Sequence, residues 1–305
     1  MKRVLLTGAT GFVGRACIAP LIARGYSVHT ISTGRSPPPD DVTVWQGNLL
    51  DSELIASLVE AIAPSHLLHA AWGVTDRDYW TSSANLNWLN ASIALLHAFV
   101  AIGGRRAVGV GTCAEYDWTV DRYVECESSL KPASRYGITK LALSWAFSDV
   151  DKPGVSTAWA RLFFPYGPGE HAARLLPYVV TSLIAGAVAD CTAGTQLRDF
   201  LYVDDVGAAL AALLDSTVAG PVNIASGQGT AVRDVVLQAA HQIGRPDLVH
   251  FGALPTRPGD PPSLVAATER LKREVGFSPT VTLEDGIART IAYWADRHRT
   301  ARTER

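Results

Sequence analysis

The 305-residue chain is long enough for two modest domains; it is 48% hydrophobic and 18% charged, with 27 Lys and Arg against 29 Asp and Glu. That composition excludes a disordered chain and gives no support to a nucleic-acid partner held by bulk charge. Four scattered cysteines (17, 113, 126 and 191) without C-x-x-C spacing, and eight histidines without an H-x-x-x-H pair, offer neither a disulfide framework nor a zinc-ligand set, so no metal is expected.

At the N-terminus, Met1-Lys2-Arg3 before Val4-Leu5-Leu6 imitates the opening of a secretory signal. Gly8, Gly11, Gly14 and Arg15 break the apolar run at once, and no small-residue cleavage site follows. In chain order, Arg3–Thr7, Ser27–Ser32, Thr43–Gln46, His66–His69, Ala107–Gly111 and Ser156–Leu162 read as strands. Between them Phe12–Arg24, Ser52–Ile62, Asn85–Ile102 and Arg135–Val150 read as helices, and Pro37-Pro38-Pro39 marks a loop. The alternation predicts an α/β fold with a doubly wound parallel sheet. Beyond Pro165 it loosens into a helix over Arg174–Ala187, strand-like pieces at Asp199–Val203 and Pro221–Ala225, and helices at Val232–Ile243 and Leu283–Arg297. The apolar stretch Leu175–Ala189 is too short to span a bilayer and contains Pro177. The expectation is a cytoplasmic protein with no membrane partner, and a frayed tail over Thr300–Arg305.

Thr7-Gly8-Ala9-Thr10-Gly11-Phe12-Val13-Gly14 follows the first strand and opens the first helix. Small residues there let backbone N–H groups approach a pyrophosphate, whose charge the helix N-terminus favours. The division expected is therefore a dinucleotide-binding domain over 1–165 and a smaller, mixed α/β substrate domain over 166–305, some of whose segments return to the first sheet. An acidic residue about 20 positions past such a loop holds the ribose 2′-hydroxyl of NAD. Here Ser32, Thr33 and Arg35 occupy that region, and no carboxylate precedes Asp40. Hydroxyls with a guanidinium suit a 2′-phosphate, so NADP(H) is favoured over NAD(H), with Arg35 as a solvated loop residue the plainer alternative.

Tyr136-Gly137-Ile138-Thr139-Lys140 is the sole Tyr-x-x-x-Lys in the chain. Residues four apart share a helix face, so the ammonium is expected to lower the phenol's pKa toward the working range. Thr112, at the end of the fifth strand, is placed by the topology at the cleft, where its hydroxyl can meet a substrate oxygen.

Together with these residues, several motifs resemble the extended short-chain dehydrogenases/reductases, specifically the nucleotide-sugar epimerase/dehydratase/ketoreductase group. They are Gly47-Asn48-Leu49, His69-Ala70-Ala71, Val110 to Tyr116, Arg161 to Gly169, Arg198 to Asp205, Asn223 to Gly227 and Arg257 to Asp260. The resemblance implies Tyr136 as acid–base, Lys140 as its partner and ribose anchor, and Thr112 as the group that orients the reacting oxygen. It implies adenine contacts from Asn48 and Leu49, a cofactor lining of Ala70 and Ala71, and Pro165 against the nicotinamide. Arg198 and Arg257 match arginines that clamp a substrate diphosphate, with ion pairing to Asp199 or Asp260 as the structural alternative. Tyr116 is a further candidate for substrate contact. Tyr79, Trp80, Trp88 and Trp118 add aromatic bulk near the cleft, either as packing or as a wall for a sugar ring.

Relatives that eliminate water carry Thr-Asp-Glu where this chain has Thr112-Cys113-Ala114, which disfavours 4,6-dehydration. The expected reaction is NADPH-dependent reduction of a keto group, most plausibly C4 of a nucleotide-linked 4-keto-6-deoxy sugar. An NAD-dependent nucleotide-sugar epimerase is the alternative. A reductase of a non-nucleotide carbonyl is a third reading, prompted by Phe164 where many relatives have an Asn on the substrate phosphates. The helices at Asn85–Ile102 and Arg135–Val150 suggest a homodimer.

Overall fold

The computed structural model describes residues 2–35, 40–74 and 78–303. The expected loop at Pro37-Pro38-Pro39 lies outside the described residues. Seven strands build one wholly parallel sheet: β1 (Lys2–Thr7), β2 (Tyr26–Ser32), β3 (Thr43–Gln46), β4 (His66–His69), β5 (Arg106–Thr112) and the strands Ser156–Leu162 and Gly220–Ile224. Across the sheet the order is β3-β2-β1-β4-β5, then Ser156–Leu162 and Gly220–Ile224. The winding direction reverses between β1 and β4, which opens a crevice beyond their carboxyl ends.

Helices cover both faces: α1 (Phe12–Ala23), α2 (Ser52–Ile62), α3 (Ala84–Ala101), α4 (Arg135–Ser148), α5 (Leu175–Ile184), α6 (Val203–Asp215), α7 (Val232–Ile243), α8 (Glu269–Arg273) and α9 (Leu283–Thr303). Because side chains alternate along a strand, each β-strand feeds two cores. Val4 and Leu6 of β1, Leu68 of β4 and Val108 of β5 join the core with residues of α1 and α6. Leu5, Leu67 and Ala107 join the opposite core with residues of α2, α3 and α4. The α1–α6 contact is tight because Gly207 has no side chain; a Cβ there would sit 2.1 Å from the Ala16 carbonyl oxygen. Local chemistry sets the helix starts. The Asp51 carboxylate caps α2 at the Leu54 amide (3.1 Å), and Ser134 caps α4 at Gly137 (3.1 Å).

Smaller pieces form the second layer. A mixed sheet runs Thr230–Ala231, Leu197–Arg198, Ser263–Ala266, Arg122–Tyr123, and two parallel pairs join Phe164–Tyr166 to Phe200–Tyr202 and Ala189–Cys191 to Val249–Phe251. Buried Asp199 ties this layer together by accepting from the amides of Ser226, Gly227 and Ala266.

The second half departs from the sequence reading at several points. The strand expected over Asp199–Val203 is Phe200–Tyr202, and Val203 already belongs to α6, a helix the apolar pattern did not announce. Helix α6 and the strand Gly220–Ile224, beyond residue 166, are segments that pack into the first sheet. Helix α5 begins after Arg174, its N-cap. Helix α9 continues through Thr303, so the fraying expected from Thr300 is replaced by four helical residues and a remainder outside the described range.

Candidate active site

The glycine loop lies at the crevice. Gly8 turns the chain at φ +76°, and a Cβ on it would meet the Ala71 amide nitrogen at 2.9 Å and the Ala70 carbonyl carbon at 3.0 Å. A Cβ on Gly14 would sit 2.1 Å from the Gly8 carbonyl oxygen, and the Gly11 amide donates to that oxygen at 2.9 Å. The structure thus brings Gly8 against Ala70 and Ala71 and Gly11 and Gly14 against Gly8, with half-buried Thr10, Phe12 and Val13 at the opening of α1. Only glycine fits at Gly8 and Gly14, and the first amides of α1 have no intrahelical partner, so the loop fits a dinucleotide pyrophosphate. Thr7 does different work: fully buried, its hydroxyl bonds His69 Nδ1 (2.8 Å) and accepts from the Ala71 amide (3.3 Å). His69 Nε2 meets the Ser92 hydroxyl at 2.8 Å, and burial, helped by the Lys140 charge, pushes the imidazole down to about 3, so it is neutral.

At the end of β2 the Ser32 hydroxyl accepts from the Gly34 amide at 3.2 Å, while Thr33 and Arg35 are exposed. Asn48 is exposed after β3 and its side chain accepts from the Leu50 amide (3.1 Å); Leu49 packs on the α2–α4 core.

Thr112 ends β5 and Tyr136 lies in the first turn of α4. The Thr112 hydroxyl lies close enough to favour the ionised Tyr136 phenol, so the strand end and the helix start converge as the sequence implied. The expected electrostatics do not follow. Burial pushes the Tyr136 phenol above its ordinary range, and the Thr112 bond only opposes that shift. Lys140 Nζ donates to the Val110 carbonyl (2.8 Å) and lies 3.9 Å from the centroid of the Trp72 ring, where burial lowers it to about 7 despite the attraction of Glu115. In this arrangement the ammonium does not depress the phenol, because its hydrogen bond and aromatic contact are made with other groups.

Beneath Thr112 lies a buried polar knot. Glu115 accepts from the Thr112 amide (2.9 Å), from the Trp159 indole (3.0 Å) and from Arg161 Nε (2.8 Å). Tyr116 belongs to this knot, which corrects its candidacy as a substrate residue: 1% exposed, it donates to Asn223 Oδ1 (2.8 Å) and accepts from Arg161 (3.2 Å). Cys113 is buried, and its thiol is pushed up to about 12 by that burial, leaving an inert filler.

Aromatic rings surround the Tyr136 phenol. Tyr79, Trp80 and Trp72 meet the Tyr136 ring edge-on at centroid distances of 5.2, 5.6 and 6.5 Å. Trp72 is fixed by its indole bond to Asn85 (2.8 Å) and by Trp88 stacked at 6.3 Å; Trp118 meets Trp80 at 6.3 Å. Arg257 is exposed, with its guanidinium 5.2 Å from the Trp80 ring centroid, which brings it within one side chain of Tyr136. Arg198 takes the structural alternative: 4% exposed, it pairs with Asp260 (2.7 Å) and donates to the carbonyls of Leu197 and Pro261. Its guanidinium also covers Phe164 at 5.5 Å, and Pro165 lies beside it in the strand Phe164–Tyr166. Sequence reasoning missed Trp72, the His69–Ser92 pair, Arg174 and Glu170. Arg174 reaches the Tyr79 hydroxyl at 3.4 Å, a contact between positions 95 residues apart that no local pattern signals.

The family profile described as NAD dependent epimerase/dehydratase matches residues 4–225, which includes the glycine loop, Thr112, Tyr136 and Lys140. The chain belongs to that family. Among relatives of this epimerase/dehydratase chain is a UDP-glucose 4-epimerase of Corynebacterium glutamicum, 27% identical over 95% of this chain and 96% of its own length. MoeE5, solved in complex with UDP-glucuronic acid and NAD, is 26% identical, covers 98% of this chain and 100% of its own, and superposes with a TM-score of 0.82. The UDP-glucose 4-epimerase of Thermotoga maritima, 21% identical over 97% of this chain and 99% of its own, shares the fold with a TM-score of 0.87. A family built on nicotinamide redox chemistry accords with the site; none of these relatives supports a preference for NADP over NAD. Among the described residues, no helix is long and apolar enough to cross a membrane.

Proposed function

We propose that this chain is an NAD-dependent nucleotide-sugar epimerase acting at C4 of the hexose. The observation that carries the reading is the convergence of Thr112 and Tyr136 beside a glycine cradle, in a chain matched over nearly its whole length by a UDP-glucose 4-epimerase. When bound, the nicotinamide supplies a hydride acceptor and donor. The protein's own residues supply the rest. Amides at the start of α1 hold the pyrophosphate, and Lys140, buried beside Trp72 and the Val110 carbonyl, anchors the ribose. In the oxidising half Tyr136 Oη must be ionised to take the proton of the C4 hydroxyl, in the return half it gives that proton back, and Thr112 Oγ1 holds the same oxygen in line. The neutral phenol that burial enforces is suited to the protonating half of this cycle. Arg257 is the exposed cation placed to meet the substrate diphosphate.

Net reduction of a 4-keto sugar is the second reading, favoured by one observation: Ser32, Thr33 and Arg35 leave the end of β2 without a carboxylate. Cofactor use separates the two. An epimerase interconverts C4 epimers without consuming cofactor, whereas a reductase consumes one reduced nicotinamide per product. Incubating the protein with UDP-glucose and UDP-galactose, and following the anomeric signals by NMR with and without added NAD(P)H, tests this. Tyr136→Phe is expected to lower turnover by about a thousandfold while cofactor binding persists; retention of turnover would remove Tyr136 from the mechanism. A cytoplasmic homodimer completes the proposal. Its interface is the outward face of α3 and α4, where Leu86, Ile138 and Trp145 are exposed, the last by 60%.

A further inference from the structure

The turn Gly167-Pro168-Gly169-Glu170, between the strand Phe164–Tyr166 and α5, carries an anomaly. Glu170 Oε2 is sealed from solvent and has no hydrogen-bond partner. The other contact of its carboxyl is with the Gly167 amide. Four residues on, the Arg174 side chain makes one hydrogen bond among the described residues, the 3.4 Å contact with the Tyr79 hydroxyl, while its guanidinium lies 5.3 Å from that ring's centroid. Among the described residues no ion pair joins Glu170 to Arg174, although each lies within reach of the other's charge. Tyr79 in turn packs edge-on against Tyr136 at 5.2 Å.

A buried acceptor without a partner is costly unless something meets it, and the exposed Arg174 guanidinium beside it, one ring away from the reacting phenol, has N–H donors to spare. We propose that Glu170 and Arg174 form a hydroxyl-binding subsite for the hexose ring of the substrate. A ring hydroxyl accepts from the Arg174 guanidinium and donates to Glu170 Oε2, so both groups are satisfied at once. This rests on the nucleotide-sugar reading above and assigns to that site a recognition element for the sugar rather than for the nucleotide. Burial already holds the Glu170 carboxyl up at about 8, as expected for an acid kept from water without compensation.

The test is calorimetric binding of UDP-, dTDP-, GDP- and CDP-glucose, each beside its bare nucleoside diphosphate, to the parent protein and to Glu170→Ala, Arg174→Met and Glu170→Gln. Glu170→Ala and Arg174→Met are expected to weaken the preferred sugar conjugate roughly ten- to hundredfold, the range for hydrogen bonds to charged groups, and to leave the bare diphosphate within about twofold. Glu170→Gln, which keeps the shape and removes the buried acid, is expected to raise the thermal midpoint while still weakening the sugar conjugate. Equal losses for conjugate and diphosphate, or no loss for either, would overturn the subsite. So would a parent protein that binds every diphosphate as tightly as its glucose conjugate. If the parent binds none of the eight, the nucleotide-sugar reading itself falls and takes the subsite with it.

Discussion

Glu115, bonded to the Thr112 amide, and Glu170, four residues before the arginine that reaches Tyr79, are treated in opposite ways. Glu115, fully buried, has both oxygens occupied by the Thr112 amide, the Trp159 indole and Arg161. Glu170 keeps one sealed oxygen without a partner. A completely satisfied network makes a rigid floor with one geometry, and here it fixes the backbone from which Thr112 projects. An incompletely satisfied group is a cost that a fold retains where it has a use for it. The contrast separates what shapes the site from what faces its ligand.

The largest effect should come from breaking the floor. Glu115→Leu leaves Arg161 buried and unpaired and is expected to cost about 3–5 kcal/mol in urea unfolding; Glu115→Met with Arg161→Met should recover much of that loss. A single variant as stable as the parent would mean the floor is not held by this pair.

Glu170 should give a smaller effect of the opposite sign, and one that depends on pH. Its carboxyl, ordinarily at 4.5, stays protonated in the folded chain up to about 8. Below pH 4.5 both states hold the proton and no penalty arises. Between those values only the unfolded chain releases it, so parent stability falls as pH rises toward 8. Glu170→Gln should remove that slope, with an advantage on the order of 2 kcal/mol at pH 8 and none at pH 4, read from unfolding curves at both. The same offset at both pH values would show that the carboxyl does not titrate as its burial implies.

Tyr116→Phe should be the mildest. It deletes one hydroxyl from the satisfied network, costs about 1 kcal/mol, and leaves kcat/KM unchanged because the ring does not reach the ligand. A fall in kcat/KM without a stability change would return Tyr116 to the substrate site.

The same contrast explains how much the sequence disclosed. The strands β1, β2, β4 and β5 were legible because each places residues in two cores, and the glycine loop because steric demand leaves no other residue at Gly8 and Gly14. Thr112 and Tyr136 were legible through their placement at a strand end and a helix start. Helix α6 was not, since its first residue, Val203, closes an apolar run that reads as strand. Strands of two residues, such as Leu197–Arg198 and Thr230–Ala231, carry no periodicity and exist only through their distant partners. Lys140 was found but its electrostatic role was misjudged, because the Val110 carbonyl and the Trp72 face that hold it are set by packing. Arg198 was likewise assigned to a ligand, whereas Asp260 takes it.

The segment that carries Tyr79 and Trp80 is fastened at several points. The Trp80 carbonyl receives the Tyr136 amide (3.1 Å), the Thr81 carbonyl receives Arg135, and Asn85 holds the carbonyls of Tyr79 (2.6 Å) and Ser82 (2.9 Å). These bonds stitch the segment to the first turn of α4, which presents Tyr136. The aromatic side therefore acts as a fixed gauge for what is allowed to close against it, with exposed Arg257 over its Trp80 ring.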